Sequence, residues 1–150
     1  MYNTKFPTWE VATAQEGSYN GQLAYAYAKR GQVLLCERWA SLYPTLPFVS
    51  CHPGWTDTAG IQAAYGDMTS YFEPLRSNWE GSEGIAWLTA VPNAKDTLES
   101  GAYYLDRSPC RKHLGGLFMT EGSYTKNTSA DVDNMMMKLK QWSDSSTRDV

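Results

Sequence analysis

The chain has 150 residues, 42% hydrophobic and 13% aromatic, which is enough to furnish the core of one ordinary domain. Its net charge of −3 argues against a dedicated nucleic-acid-binding protein, which would carry a concentrated basic face. No apolar run approaches the roughly 18 residues of a membrane-spanning helix, and the first residues do not resemble a secretory signal. The three cysteines are an odd number, which indicates reduced thiols and predicts a cytoplasmic protein.

The first half of the chain predicts a helix followed by a strand. Residues 1–19 show no helix or strand period, and Asn20 then offers a turn or an N-cap. A long helix is predicted from about residue 23 to 42, with a stripe of small residues at spacings of three and four that would let its backbone pack closely against a sheet or another helix. Residues 46–51 predict a short apolar strand that ends at Pro53 and Gly54. This order is typical of half of an α/β crossover unit.

The second half is less regular. Residues 55–79 predict an aromatic-rich loop, which either walls a pocket or packs in the ordinary way. A second helix is predicted to begin at Glu80 or Ser82 and to end at Pro92, and residues 101–107 predict a second strand. A final amphipathic helix is predicted at about residues 129–143 with Ser129 as its cap.

Tyr25 and Lys29 form the pair that suggests chemistry. Four residues apart on a helix, they lie on one face, one turn from each other. A lysine ammonium in that place favours the charged form of a phenol, so the pair can act as a general acid and base. A five-residue motif of this kind also arises by chance, so the surrounding chain has to agree with it.

The surrounding chain resembles the short-chain dehydrogenase/reductase (SDR) superfamily, and within it the dehydrogenase/reductase member 12 branch. The similar runs are residues 25–33 (YAYAKRGQV), 37–40 (ERWA) and 52–58 (HPGWTDT). The resemblance covers residues 5–116 and, weakly, the last helix. It implies an α/β fold: the C-terminal half of a Rossmann-like, doubly wound parallel sheet, with about two strands and their flanking helices in one partial domain.

The resemblance also implies a site. Tyr25 corresponds to the catalytic acid/base, and Lys29 to the residue that makes this phenol more acidic and binds the nicotinamide ribose. Pro53 and Gly54 correspond to the turn behind the nicotinamide ring. Thr56 and Thr58 correspond to the residues that contact the carboxamide and the phosphates of the cofactor. The implied cofactor is NADP or NAD, and the implied substrate is a small carbonyl compound or alcohol.

Two features expected of the family are not in this sequence. No Gly-x-Gly occurs, so the glycine-rich pyrophosphate turn is missing, and the catalytic serine of this branch would lie before Met1. We therefore interpret the chain as the C-terminal portion of an oxidoreductase, and we expect the isolated chain not to turn over. The alternative is a truncated, non-catalytic relative that acts as an interaction module, pairing with a second copy or a paralogue through the Tyr25 helix.

Two other motifs are weaker. Cys51 and His52, with Cys110 and His113, supply four nitrogen and sulfur ligands for zinc, but neighbours on a strand point to opposite faces. Two buried thiols and two ordinary histidines are the favoured interpretation. Asn127 begins an N-glycosylation sequon, which we interpret as a polar loop and cap.

Overall fold

The computed structural model describes residues 4–112 and 126–146. The chain divides into two compact units, and each is described by itself. Unit 1 consists of Met1–Arg38 and Lys112–Val150, and unit 2 of Trp39–Arg111. Each unit has its own group of buried apolar residues.

The helices of unit 1 are α1 (Trp9–Ala12), most of α2 (Gly21–Leu42) and α6 (Ser129–Ser146). The α2 prediction is confirmed, including its cap, because the Asn20 side chain accepts a hydrogen bond of 3.1 Å from the Leu23 N–H. The short α1 was missed. It is one turn long, begins after the cap Thr8, and has no periodic pattern to reveal it.

The core of unit 1 is formed by Phe6 from the N-terminal segment before α1, Leu34 from α2 and Met135 from α6. The buried residues of α2 are Arg30, Val33 and Leu34, so the predicted stripe of small residues is not its buried face. Gly31 is the exception, since a Cβ there would lie 3.3 Å from the Phe6 ring. Large apolar side chains remove more surface from water than alanines do, which explains why they take the inner face.

Hydrogen bonds join the start of α6 to the N-terminal segment of the chain. The Asn127 side chain bonds both backbone groups of Phe6, accepting from its N–H at 3.0 Å and donating to its carbonyl at 2.8 Å. The N-cap is Thr128 rather than the predicted Ser129: its hydroxyl accepts from the Asp131 N–H, and the Asp131 carboxylate accepts from the Thr128 N–H. Asp131 also pairs with Lys5 at 3.1 Å.

Unit 2 is built on a three-stranded sheet in the order β1-β2-β3. These strands are β1 (Ser50–Cys51), β2 (Tyr103–Leu105) and β3 (Ser108–Cys110). β1 and β2 are parallel, with Ser50 opposite Tyr103, whereas β2 and β3 form an antiparallel hairpin. The parallel pair requires a long crossover, and the chain between the strands supplies it as helices.

That crossover contains α3 (Ala59–Tyr65), a 3-10 helix (Gly66–Phe72), α4 (Asn78–Ala90) and α5 (Ala94–Thr97). The core of unit 2 is formed by Leu98, Ala102 and Tyr104 of β2, and Trp87 and Leu88 of α4 pack against it. The mixed α/β class predicted from the sequence is confirmed by this sheet and its helices.

Four predictions for unit 2 are corrected. The predicted loop at 55–79 contains α3 and the 3-10 helix, and α4 begins earlier than predicted because Ser77 and Glu80 form a capping box. The predicted strand at 46–51 is reduced to its last two residues. The predicted strand at 101–107 ends at Leu105, where a turn leads into the unpredicted β3.

Several features of other classes were sought in the described residues. None of the helices found there is long and apolar enough to cross a membrane. Residues 4–112 and 126–146 bring no three histidine, cysteine or acidic side chains together as a metal site, and the predicted ligand His113 lies outside them. No disulfide joins the three cysteines, all of which lie in the described part of the chain.

The core of unit 1 makes a stability prediction. Met135 is only 4% exposed and packs against Phe6 and Leu34, so Met135→Ala leaves a cavity. We expect the free energy of unfolding, measured by urea titration, to fall by about 2–5 kcal/mol. Met137 on the same helix is 51% exposed, and Met137→Ala should change it by no more than about 0.5 kcal/mol. Equal effects of the two substitutions would contradict the assigned core.

The cap of α6 makes a pH prediction. The Thr128 N–H, and next the Lys5 ammonium, lower the pKa of Asp131 to about 2. A carboxylate whose pKa is depressed on folding stabilises the fold above its unfolded value of 3.8, and that contribution is lost as the pH falls towards 2. The thermal unfolding midpoints of wild type and Asp131→Asn should therefore be compared between pH 5 and pH 2. We expect the midpoint of the wild type to fall more over this range than that of Asp131→Asn. Parallel curves would show that the cap does not form.

Candidate functional site

The Tyr25–Lys29 pair is assembled as its spacing predicts. Both residues lie on α2 in unit 1, and the Lys29 Nζ is 5.6 Å from the centroid of the Tyr25 ring. The Tyr25 side chain is exposed at 58%, whereas Lys29 is half-buried. The Lys29 ammonium therefore lies over the Tyr25 ring as a cation–π contact, and the ring is exposed to solvent.

A cavity of about 300 Å³ lies beside the first turns of α2, also in unit 1. Apolar walls come from Val11 of α1 and from Leu23 and Ala24, the residues just before Tyr25, and the polar lining includes Glu16 and Asn20. Its size is at the lower end of the range for small-molecule pockets.

The predicted turn at Pro53 and Gly54 lies in unit 2, directly after β1. Gly54 has φ +78°, a conformation that other residues rarely adopt, and its N–H donates to the His52 Nδ1 at 2.8 Å. The turn therefore depends on His52 accepting at Nδ1, which requires a ring that is unprotonated there. Burial, helped by the Arg76 charge, lowers the pKa of His52 to about 4, so the ring is neutral at pH 7.

Arg76 lies against this turn and was not anticipated from the sequence. A Cβ on Gly54 would come within 2.5 Å of the Arg76 Nε, so the guanidinium occupies the space that only glycine leaves open. The guanidinium makes a two-pronged ion pair with Asp106, with Nη1 to Oδ1 at 2.5 Å and Nη2 to Oδ2 at 2.6 Å. Sequence reasoning had no signal for this pair, because its members are thirty positions apart.

The two predicted threonines have structural partners. Thr56 is buried, its hydroxyl donates to the Pro53 carbonyl at 3.2 Å, and Gly81 of α4 packs so closely on it that a Cβ there would collide. Thr58 is the N-cap of α3, and its hydroxyl accepts from the Ile61 N–H. The Thr58 hydroxyl keeps a proton to donate and is exposed, whereas the Thr56 side chain is enclosed.

The predicted site residues thus form two groups. Tyr25 and Lys29 are brought together in unit 1, and Pro53, Gly54 and the two threonines in unit 2.

Gly54 makes a stability prediction. Gly54→Ala forces a side chain into a left-handed conformation, at a cost of about 1–2 kcal/mol, and also displaces the Arg76 guanidinium. Gly84, inside α4, has open space around it, so Gly84→Ala should stabilise by about 0.5–1 kcal/mol. Urea unfolding of the two variants should therefore shift in opposite directions. A neutral Gly54→Ala would refute the observed turn.

Comparisons with known proteins address the family. The chain is 41% identical over 97 residues to human dehydrogenase/reductase SDR family member 12, and 36% identical over 102 residues to the bovine protein. These matches cover 64% and 67% of this chain but only 30% and 32% of the relatives. No family model matches, and no solved structure does. The matches confirm the resemblance predicted from the sequence: over about two thirds of its length, this chain is similar to dehydrogenase/reductase SDR family member 12, and it spans about a third of the length of these relatives.

Proposed function

We propose that this chain carries the acid/base part of an NAD(P)-dependent short-chain oxidoreductase, which interconverts a small carbonyl compound and its alcohol. Its parallel β1–β2 pair with helical crossover would then be the C-terminal part of a Rossmann-like sheet. One observation carries the proposal: Lys29 lies 5.6 Å from the ring centroid of an exposed Tyr25 on the same helix face.

The proton-transfer step follows from that pair. The bound nicotinamide would supply the hydride in reduction and accept it in oxidation. Tyr25 donates its phenolic proton to the carbonyl oxygen as the carbon becomes an alcohol, and takes the proton back in the opposite direction. The Lys29 ammonium on the same helix face would be the positive charge next to the phenolate that remains.

The turn residues would hold the nicotinamide end of the cofactor. Pro53 is exposed, so its ring would offer an apolar surface to the nicotinamide, and Gly54, although the Arg76 guanidinium lies against it, adds no side chain of its own that would keep the nicotinamide away. Thr58 can donate its free hydroxyl proton, whereas Thr56 already uses its hydroxyl within the turn. We therefore propose Pro53, Gly54 and Thr58 as direct contacts, with Thr56 acting by holding the Pro53 carbonyl.

The substrate proposed is an apolar or aromatic carbonyl compound. Three aromatic rings meet in the crossover: Trp55 stacks on Phe72 at 4.1 Å between centroids, and the Tyr65 ring meets Phe72 edge-on at 4.9 Å. Such a cluster presents an apolar surface beside the turn, since Trp55 directly follows Gly54.

A second function has its own support. Leu23, Tyr25 and Ala28 are exposed on α2, so part of this helix remains available to a partner. The proposal is an interaction module that pairs with a second copy or a paralogue through that face. Unlike the enzyme, such a module would require no proton on Tyr25.

The test joins a cofactor-binding segment to the chain. The segment of the human relative that precedes the matched residues is fused in front of Met1, and oxidation of NADPH and of NADH is followed with an aromatic aldehyde. We expect reduction by the fusion and none by the unfused chain, which lacks a glycine-rich turn. Tyr25→Phe should lower the rate by at least about 10²-fold, the usual range for losing a general acid.

Tyr27→Phe is the matched control, because Tyr27 lies on the same helix but packs against the core of unit 1. It should retain the activity of the parent fusion. Activity that survives Tyr25→Phe would refute the assignment of the acid. A folded fusion that binds the cofactor without any reduction would favour the interaction module.

A further inference from the structure

We propose that Arg76, anchored by Asp106, is the positioning residue that fixes the shape of the Pro53–Gly54 turn. The inference deepens the proposed function, on which its relevance to catalysis rests, by naming a residue that acts on the cofactor through the turn. The comparisons assign no such role, and neither residue belongs to a recognised motif.

The first support is how the Arg76 side chain meets the turn. Its Nε, Cδ and Cζ would lie 2.5–2.7 Å from a Cβ on Gly54, so the guanidinium rests directly on the glycine backbone. Its Nη1 is 3.5 Å from the Pro53 carbonyl oxygen, which also accepts from Thr56. The Pro53 carbonyl oxygen is therefore contacted by both a cation and a hydroxyl.

The second support is that Arg76 itself is held at both ends. Its N–H donates to the Trp55 carbonyl at 2.7 Å, and its carbonyl accepts from the Asp57 N–H at 2.8 Å. Its guanidinium is fixed by both carboxylate oxygens of Asp106, and a two-pronged arginine–carboxylate pair fixes direction as well as distance. Asp106 lies in the turn between β2 and β3 and has φ +50°.

The third support is that stability alone does not account for the arrangement. The Arg76 and Asp106 side chains are 32% and 60% exposed, and exposed ion pairs contribute little to folding. A second pair nearby, Arg107 with Glu83, is similarly exposed but joins the hairpin turn to α4. Of these two ion pairs, only Arg76 with Asp106 lies against the Pro53–Gly54 turn. A role in positioning that turn therefore distinguishes it from the pair of Arg107 and Glu83.

The test follows hydrogen exchange at the Gly54 N–H by NMR in the full chain without cofactor. This N–H is bonded to His52, so its protection reports the shape of the turn. We expect exchange to be at least tenfold faster in Arg76→Gln and in Asp106→Asn, with partial rescue in Arg76→Lys. The matched control Arg107→Gln should leave it unchanged, and the Leu98 N–H, in the core of unit 2, should exchange as in wild type in all four.

The His52 ring gives a second readout that separates charge from shape. Its pKa, about 4 in wild type, should rise in Arg76→Gln, because a neighbouring positive charge is removed, and stay low in Arg76→Lys. Lysine keeps the positive charge but cannot form the two-pronged pair with Asp106. Exchange of the Gly54 N–H that is faster than in wild type, at an unchanged His52 pKa, would therefore show that Arg76 acts by positioning the turn and not by its charge alone.

Unchanged Gly54 exchange in both Arg76→Gln and Asp106→Asn would overturn the inference, as would equal acceleration at Leu98, which would mean general destabilisation. Because no cofactor or turnover enters the measurement, these outcomes are independent of whether the proposed oxidoreductase activity exists. Conversely, an inactive fusion with Gly54 exchange that depends on Arg76 would refute the activity and leave the positioning role in place.

Discussion

The parallel pairing of β1 with β2 is the constraint on which the candidate cofactor turn depends. Two residues of β1 lie beside β2, with Cys51 opposite Tyr104, and this short ladder brings two distant parts of the chain to one edge. Pro53 and Gly54 follow the end of β1, and Asp106 follows the end of β2. Since parallel strands end at the same edge, Asp106 can reach the Arg76 side chain that covers the turn. The carboxyl edge of a parallel sheet is also where α/β folds bind ligands.

Local signals in the sequence were sufficient for the long helices. Asn20 caps α2, and the breadth of the apolar pattern predicted α6 within a few residues of its ends. The Tyr25–Lys29 pair was equally predictable, because residues four apart on a helix face the same side whatever surrounds them. The family resemblance then gave the pair a chemical meaning that spacing alone does not.

Long-range features were out of reach for the opposite reason. Nothing near Arg76 indicates that its partner is Asp106, since the pairing is decided by which strands lie side by side. The buried face of α2 was misjudged because small residues at regular spacing suggested close packing. Phe6 and Met135 instead select the face of Leu34, and Arg30 is buried with it. Thr58 was assigned by resemblance as a ligand contact, whereas its capping role depends on the unpredicted α3.

The two groups of the proposed site depend on packing to different degrees. The turn requires a ladder between residues some fifty positions apart, whereas Tyr25 and Lys29 need only one turn of helix. Yet the helical turn that holds Tyr25 and Lys29 also depends on the rest of unit 1. Isolated helices in water are marginally stable, and most helical stability comes from burying an apolar face. In α2 the face is secured by Leu34 against Phe6 and Met135, from the two ends of the chain. The acid/base geometry is therefore encoded locally but stabilised by α6 and the N-terminal segment, neither of which contains a residue of the proposed site.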